Sequence, residues 1–370
     1  MFSKIKAFVK KEVTLCAAFV AAVISSLIVP PDAAYWDYMD WRTLALLYSL
    51  MVVVAGASNA GVFSTMAHVL CVKASSVRAM GAVLVGLCFV TSLFLTNDVT
   101  LLTFVPFAVV VLSMAGEIKS LAWVVVLQTA AANVGSCLTP IGNPQNMYLH
   151  SHFNMTVGEF FLDTVPIWGL SGVLLAVLCG VILPGKKLSV FLGEAPGLDK
   201  KSLMLYLVLF LVCMLVVFRV LAWPVMLGVL VAVLLIFDRK ALLRADFLLL
   251  VTFVCFFIFS GNLRRMDAVA QVLQRLLNGH EMLVGAAVSQ VISNVPAAIL
   301  LSGFTENAKA LLIGVNVGGL GTPIASLASL ISLKLYAQSE GAEPRGYMGK
   351  FLVVNFGLLA VLLAAGALLE

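Results

Sequence analysis

The sequence predicts an all-α polytopic membrane protein with inverted structural repeats. It should hold about nine transmembrane helices, two re-entrant hairpins and two broken helices. Three observations carry that expectation. Of 370 residues, 62% are hydrophobic and 11% are charged, with a mean hydropathy of +1.09. Soluble domains carry about 25% charged residues. Apolar runs near the ~20 residues that cross a bilayer recur almost without pause. A Gly- and Pro-rich loop also occurs twice, each time after a polar-tipped hairpin pattern. The composition excludes an ordinary soluble enzyme, a disordered chain and a nucleic-acid-binding domain.

Continuous spans are expected near Val13–Pro30, Trp41–Gly56, Val165–Leu183, Leu203–Val220, Trp223–Phe237, Phe247–Ser260 and Phe351–Leu369. Two more, Leu121–Leu149 and Leu311–Tyr336, are interrupted by Gly and Pro. Met80–Leu112 and Met282–Gly303 are apolar but broken by polar residues, TND at Thr96–Asp98 and SNVP at Ser293–Pro296. Each has two arms too short for comfortable spanning and reads as a hairpin that enters and leaves on one side. Polar backbone at that depth survives only where protein or a water-filled cavity covers it.

The apolar stretch after Lys4, Lys6, Lys10 and Lys11 is expected to be an uncleaved first span rather than a signal peptide. This layout, with a cytoplasmic N-terminus and an external C-terminus, leaves six of 23 basic residues outside. They are Arg42, Arg219, Arg264, Arg265, Arg275 and Lys309. That asymmetry obeys the positive-inside rule and supports both the span list and the hairpins, and the expected location is the cell membrane. The three arginines near 264–275 read as part of a solvated interfacial helix. The 7 cysteines lie in apolar runs without a CxxC pair, and the 4 histidines are scattered. Small buried hydrophobes are the better reading of the cysteines.

The repeat fixes the organisation. NVGSCLTPI at Asn133–Ile141 and NVGGLGTPI at Asn316–Ile324 share six of nine positions at an offset of 183. Each follows a hairpin with a polar tip, at Asn97 and Asn294. Each hairpin follows a helix that starts Asp40–Trp41 or Asp246–Phe247 and reaches a glycine, Gly56 or Gly261. Residues 1–183 thus form one repeat with its hairpin at 77–113, and 222–370 the other with its hairpin at 280–305. Residues 184–221 supply a cytoplasmic linker and one connecting span. That odd span inverts the second repeat, a pattern that points to a secondary transporter with its site near the midplane.

The chemistry lies in the breaks and tips. Pro140, Gly142 and Pro144 unwind the first broken helix, and Gly318, Gly319, Gly321 and Pro323 the second. Freed carbonyls and Asn or Thr oxygens suit Na+, while free amides at helix N-termini suit anions. Asp98 is the one deep carboxylate in this layout. It could ligate a cation, carry a proton, or cap a helix starting at Val99. Its counterpart is Val295, so the two tips differ. Gly314 and Gly318 form a GxxxG pair suited to close helix packing.

These motifs resemble the ion transporter superfamily. The nearest group is the citrate-transporter-like permeases, related to the arsenite permeases and the divalent-anion:sodium symporters. The likeness rests on Asp40–Gly56, Thr96–Val110, Asn133–Leu149, Ser293–Leu301 and Gly314–Ile331. It implies a homodimer in the lipid bilayer, with each hairpin tip meeting the broken helix of its own half. Carried over by position, one cation site would use Thr96, Asn97, Asp98, Asn133 and Gly135. The other would use Ser293, Asn294, Asn316 and Gly318. A small anionic substrate would lie between them, at Thr96, Asn97, Thr139, Pro140, Asn143, Ser293, Asn294, Thr322 and Pro323. The symporters carry Ser-Asn-Thr at both tips, whereas these read Thr96-Asn97-Asp98 and Ser293-Asn294-Val295. That departure singles out Asp98 for coupling.

The expected function is transport of a small anion, such as a carboxylate or oxyanion, coupled to H+ or Na+, by alternating access of elevator type. No cofactor is expected beyond a bound Na+, with Asp98, Asn133 and Asn316 as candidate ligands. A sodium/proton antiporter and an arsenite or oxyanion efflux permease are the alternatives. No nucleophile–base pair suggests an enzyme.

Overall fold

A computed structural model describes residues 12–187 and 197–369. Lys4, Lys6, Lys10 and Lys11 lie outside the described residues. No β-strand occurs among the described residues; an isolated bridge pairs Ser76 with Lys187. The first half contains α1 (Val13–Ile28), α2 (Trp41–Asn59), α3 (Val62–Cys71), α4 (Val77–Thr91), α5 (Asn97–Met114), α6 (Ile118–Gly135), α7 (Pro144–His152) and α8 (Val157–Ile182). Helix α9 (Lys200–Val217) connects it to the second half. That half runs through α10 (Trp223–Phe237), α11 (Phe247–Arg264), α12 (Asp267–Leu277), α13 (Glu281–Ile292), α14 (Asn294–Leu301), α15 (Ala308–Val317), α16 (Leu327–Ala337) and α17 (Pro344–Ala367).

The protein is an all-helical polytopic membrane protein, and among the described residues seven helical segments are long and apolar enough to cross a bilayer. Helices α1 and α10 have 16 and 15 residues. At 1.5 Å per residue they reach only about 24 Å of a ~30 Å hydrocarbon core. The first hairpin departs from the expectation of two short arms, because α5 runs for 18 residues. Its apolar run continues unbroken past the tip, and Pro106 is accommodated within it. In the second hairpin α14 stops after 8 residues in a 3-10 turn, Ser302–Phe304.

The repeated Asp–aromatic signal is a helix cap. Asp40 accepts from the Thr43 amide at 2.9 Å, and Asp246 from the Leu249 amide at 3.0 Å. Such caps satisfy amides that have no partner inside the helix. Two short helices lie between the second helix of each half and its hairpin. The sequence reading assigned no element where α3 lies, and it anticipated only the interfacial character of α12. On α12, Asp267, Gln271 and Gln274 face out while Leu277 is buried.

Packing crosses between the halves. Helix α1 packs on α11, and α10 on α2; α5 packs on α16, and α14 on α7; α8 packs on α15, and α17 on α6. Helix α6 is innermost, buried from Leu121 to Leu138 except at Trp123. It anchors one apolar core together with α4, α5, α8 and α17. A second core gathers α1, α2 and α9–α11 with α7 and α14. Helix α15 contributes Ile313 and Val317 to the first and Leu311 and Val315 to the second. Six of the seven cysteines are buried and all are free, as small hydrophobes should be.

The repeated glycines Gly56 and Gly261 have a steric cause. The Tyr206 ring lies against Gly56 and the Tyr38 ring against Gly261, where a β-carbon would overlap them. Each tyrosine hydroxyl joins an Arg–Asp pair. Arg244 is 2.9 Å from Asp238 beside Tyr206, and Arg265 is 2.8 Å from Asp32 beside Tyr38.

Candidate functional site

The two broken helices meet at their breaks. In the first, α6 tightens into a 3-10 turn at Ser136–Leu138, leaves helical geometry at Thr139, and resumes at Pro144 behind the N-cap Asn143. Proline suits that first turn because its missing amide would have no helical partner there. In the second, α15 ends at Val317, Gly321 takes φ +99°, and α16 starts behind Ser326. Only glycine adopts that left-handed conformation at no steric cost.

A crossed clamp of buried side chains joins the breaks. Asn316 on α15 accepts from Asn143 Nδ2 at 3.0 Å and donates to Asn146 Oδ1 at 2.6 Å. Asn133 on α6 accepts from Ser326 Oγ at 2.9 Å and donates to Ser329 Oγ at 3.3 Å. The same offset of 183 separates 133 from 316, 143 from 326 and 146 from 329. Each half-helix end is thus held by the start of the other half's resumed helix. Asn133, Asn143, Asn146, Asn316, Ser326 and Ser329 are all buried. Buried amides left unpaired cost about 1–3 kcal/mol each, so the mutual pairing locks the two breaks together.

Both tips meet the broken helix of their own half, through different bonds. Asn97 Nδ2 donates to Asn133 Oδ1 at 3.0 Å, which joins the first tip to the clamp. At the second tip Ser293 sits at φ +76°, and the Asn294 amide donates to Ala325 O at 2.9 Å. The Asn294 side chain lies against Gly319 rather than bonding Asn316. Thr96 is the N-cap of α5 without a side-chain capping bond. Helix α5 begins at Asn97, so Asp98 lies in its first turn and is not the cap considered from sequence. Asp98 Oδ1 is buried and has no hydrogen-bond partner.

The remaining sequence candidates fasten hairpins to breaks. Thr139 Oγ1 donates to Leu93 O, and Thr322 Oγ1 donates to Gln290 O at 3.0 Å. Gln290 Oε1 also accepts the Thr322 amide at 2.8 Å, and Gln290 Nε2 donates to Gly318 O at 2.8 Å. Pro140 and Pro323 shape the breaks and offer no polar side chain. Gly135 and Gly318 mark where the first hairpin arms press on the broken helices. A β-carbon at Gly318 would lie 2.7 Å from Ala286 Cα, and one at Gly135 would overlap Phe89 and Ser92. Gly314 likewise admits the Met282 backbone, so the GxxxG pair packs α15 on α13. Gly318→Ala is therefore expected to destabilise the protein by about 1–3 kcal/mol. A thermal melt in detergent reads this, and an unchanged Tm would contradict the close approach.

Five residues of the site escaped the sequence reading: Ser136, Asn146, Gln290, Ser326 and Ser329. Applying the loop offset to Asn143 and Asn146 would have found the two serines. Ser136 Oγ accepts from Asn143 Nδ2 at 3.0 Å. Apart from the Asp98 carboxylate at the first tip, the clamp and its surroundings consist of amides, hydroxyls and backbone. Their oxygens are hard, neutral donors of the kind that fit Na+ rather than a soft metal. No group of three or more His, Cys, Asp or Glu suited to a metal occurs among the described residues.

Comparison with known proteins agrees with this architecture. Residues 1–311 match the citrate transporter family, CitMHS. An uncharacterized transporter of Methanocaldococcus jannaschii is 31% identical over 321 residues, 86% of this chain and 85% of that protein. The inner membrane protein YbiR of Escherichia coli is 31% identical over 319 residues, 84% of each chain. The silicon efflux transporter LSI3 of Oryza sativa subsp. japonica is 31% identical over 159 residues, 41% of this chain and 31% of that protein. With two broken helices clamped break to break and a family match over most of its length, this chain belongs to the citrate transporter family within the ion transporter superfamily, and it is a transporter, not an enzyme.

Proposed function

We propose that this transporter is a secondary active carrier of a small anion such as a carboxylate or oxyanion, coupled to H+ or Na+. The observation that supports this most is the crossed clamp of Asn133 and Asn316 at the junction of both breaks. Secondary transporters built from inverted repeats place their sites at such junctions, and a simple pore has no need of one. Helix α16 starts inside the clamp without a side-chain cap, so its first amides can meet a negative charge. Asp98 carries the coupling ion, since its buried Oδ1 lacks a partner. A proton or an Na+ bound with help from Asn97 and Asn133 would supply one.

In this reading residues 1–183 and 222–370 are inverted repeats, joined through a cytoplasmic linker and the connecting span within 184–221. The N-terminus is cytoplasmic and the C-terminus external. Two copies form a homodimer in the lipid bilayer, and the site moves across the membrane as an elevator. Export of an oxyacid is the second reading. It draws on the neutral amides and hydroxyls of the clamp, which suit a neutral hydroxylated species, and on the partial likeness to a silicon efflux transporter.

Purified protein in liposomes tests both. Accumulation of labelled citrate, succinate, phosphate or arsenite is measured under imposed sodium and pH gradients. Concentrative uptake of an anion under one gradient is the expected result. Flux that only dissipates the solute's own gradient would sink the secondary-carrier reading. Orientation is read separately with single cysteines at 187 and 240. Both are expected to label from the cytoplasmic side, and labelling from opposite sides would contradict the repeats as drawn.

A further inference from the structure

A second polar feature lies away from the clamp. A cavity of about 320 Å³ opens where the N-terminal end of α2 and the C-terminal end of α11 approach α7 and α14. In the orientation proposed above it faces outward. Arg264 lines it, and no hydrogen bond or ion pair to its guanidinium occurs among the described residues. Its neighbour Arg265 is spent on Asp32, as a two-pronged pair at 2.8 and 3.1 Å. Gly303 makes room for Arg264: a β-carbon there would lie 2.6 Å from Arg264 Cδ. The arginine stem therefore runs over Gly303 along the cavity wall, while the residue as a whole remains exposed.

The rest of the wall sets what Arg264 can hold. His152 is pinned, with Nδ1 3.3 Å from Tyr148 Oη and Nε2 3.2 Å from Ser302 O. Its Nε2 must carry the proton, because a carbonyl can only accept; Nδ1 then accepts from the tyrosine. Asp40 is occupied by the amide and hydroxyl of Thr43. Asp37, also on the wall, is exposed. A free guanidinium offers two parallel N–H donors to an oxyanion. Two carboxylates on the same wall oppose a ligand with a second negative charge.

We propose that this cavity is an entry site for singly charged oxyanions, held by Arg264 before they reach the clamp. The proposal rests on the anion-carrier reading for the identity of the ligand, and on the cavity alone for the binding. Position supports it. Helix α7 carries His152 at the cavity and Asn146 in the clamp six residues earlier, about 9 Å along the axis. The cavity therefore lies within about two helical turns of the clamp along α7.

The test reads binding without transport. On a background lacking the seven native cysteines, Ser151→Cys places a thiol on the cavity wall. Its reaction with an impermeant anionic thiol reagent is timed in the presence of acetate, formate, sulfate or citrate. Acetate and formate should slow labelling saturably, with sulfate and citrate at least about tenfold weaker. Arg264→Gln should weaken the acetate effect by about tenfold or more, the worth of a charge-assisted bond. Arg264→Lys, which keeps the charge but loses the fork, should fall between, and this guards against a folding artefact. Equal protection in Arg264→Gln, or protection by sulfate as strong as by acetate, overturns the proposal. Arginine-dependent protection in a protein that moves no anion in vesicles would sink the carrier reading and leave the site standing.

Discussion

Asn316→Ala is expected to reduce transport to the background of empty vesicles. Asn316 is buried at 4% exposure and is the only residue of α15 shown bonding to both Asn143 and Asn146. Removing its amide strips Asn146 Oδ1 of a 2.6 Å donor, while Asn143 Nδ2 keeps Ser136 Oγ. One orphaned acceptor should destabilise the fold by about 1–3 kcal/mol, which leaves a folded protein to assay. The larger consequence is loss of geometry, because the start of α7 is no longer tied to the end of α15. A double-mutant cycle identifies the partner. If Asn146 acts with Asn316, the two single effects add to more than the double, although Asn146→Ala also removes its donations to Ser136 O, Cys137 O and Thr139 O and so still costs stability by itself. Additive effects, or near-normal flux in Asn316→Ala, would show the clamp to be scaffolding. Asn133→Ala tests the matching corner and should lose transport equally.

Asp98→Asn should weaken or abolish the response of transport to the gradient that drives the wild type. The carboxylate sits in the first turn of α5, beside Asn97, which bonds directly to the clamp. Its Oδ1 is buried and unpartnered, and an unpaired charge at membrane depth is costly. A proton or a cation must therefore accompany it. Asparagine resembles the protonated acid in shape and carries no charge. If the coupling ion is H+, the variant loses its pH dependence between about pH 5.5 and 8.5, a range that brackets neutrality. If it is Na+, the pH profile persists and the apparent sodium affinity falls, by tenfold for each 1.4 kcal/mol. A variant matching wild type in both respects would reduce Asp98 to a favourable charge at a helix N-terminus.

The sequence alone did not reach α3 or the full length of α5, but it determined the membrane class, most of the spanning helices and the two breaks. Each of these is written in local chemistry: apolar runs of spanning length, Asp caps ahead of aromatic residues, and Pro and Gly where a helix must stop. The internal repeat was legible for the same reason, since it demands the same backbone twice. Tertiary structure decided the pairings. Asn146, Ser326 and Ser329 carry no local signal, because an asparagine or serine in the first turn of a helix is ordinary. Only packing of α6 and α15 against each other's continuations turns them into a clamp. The glycines at 56 and 261 were visible as a repeat, but their cause, the Tyr206 and Tyr38 rings, lies on distant segments. Arg264 and Arg265 are adjacent and identical in sequence, yet one pairs with Asp32 and the other lines a cavity. Neighbouring helical residues point about 100° apart, and what each side chain meets is set by the fold around it.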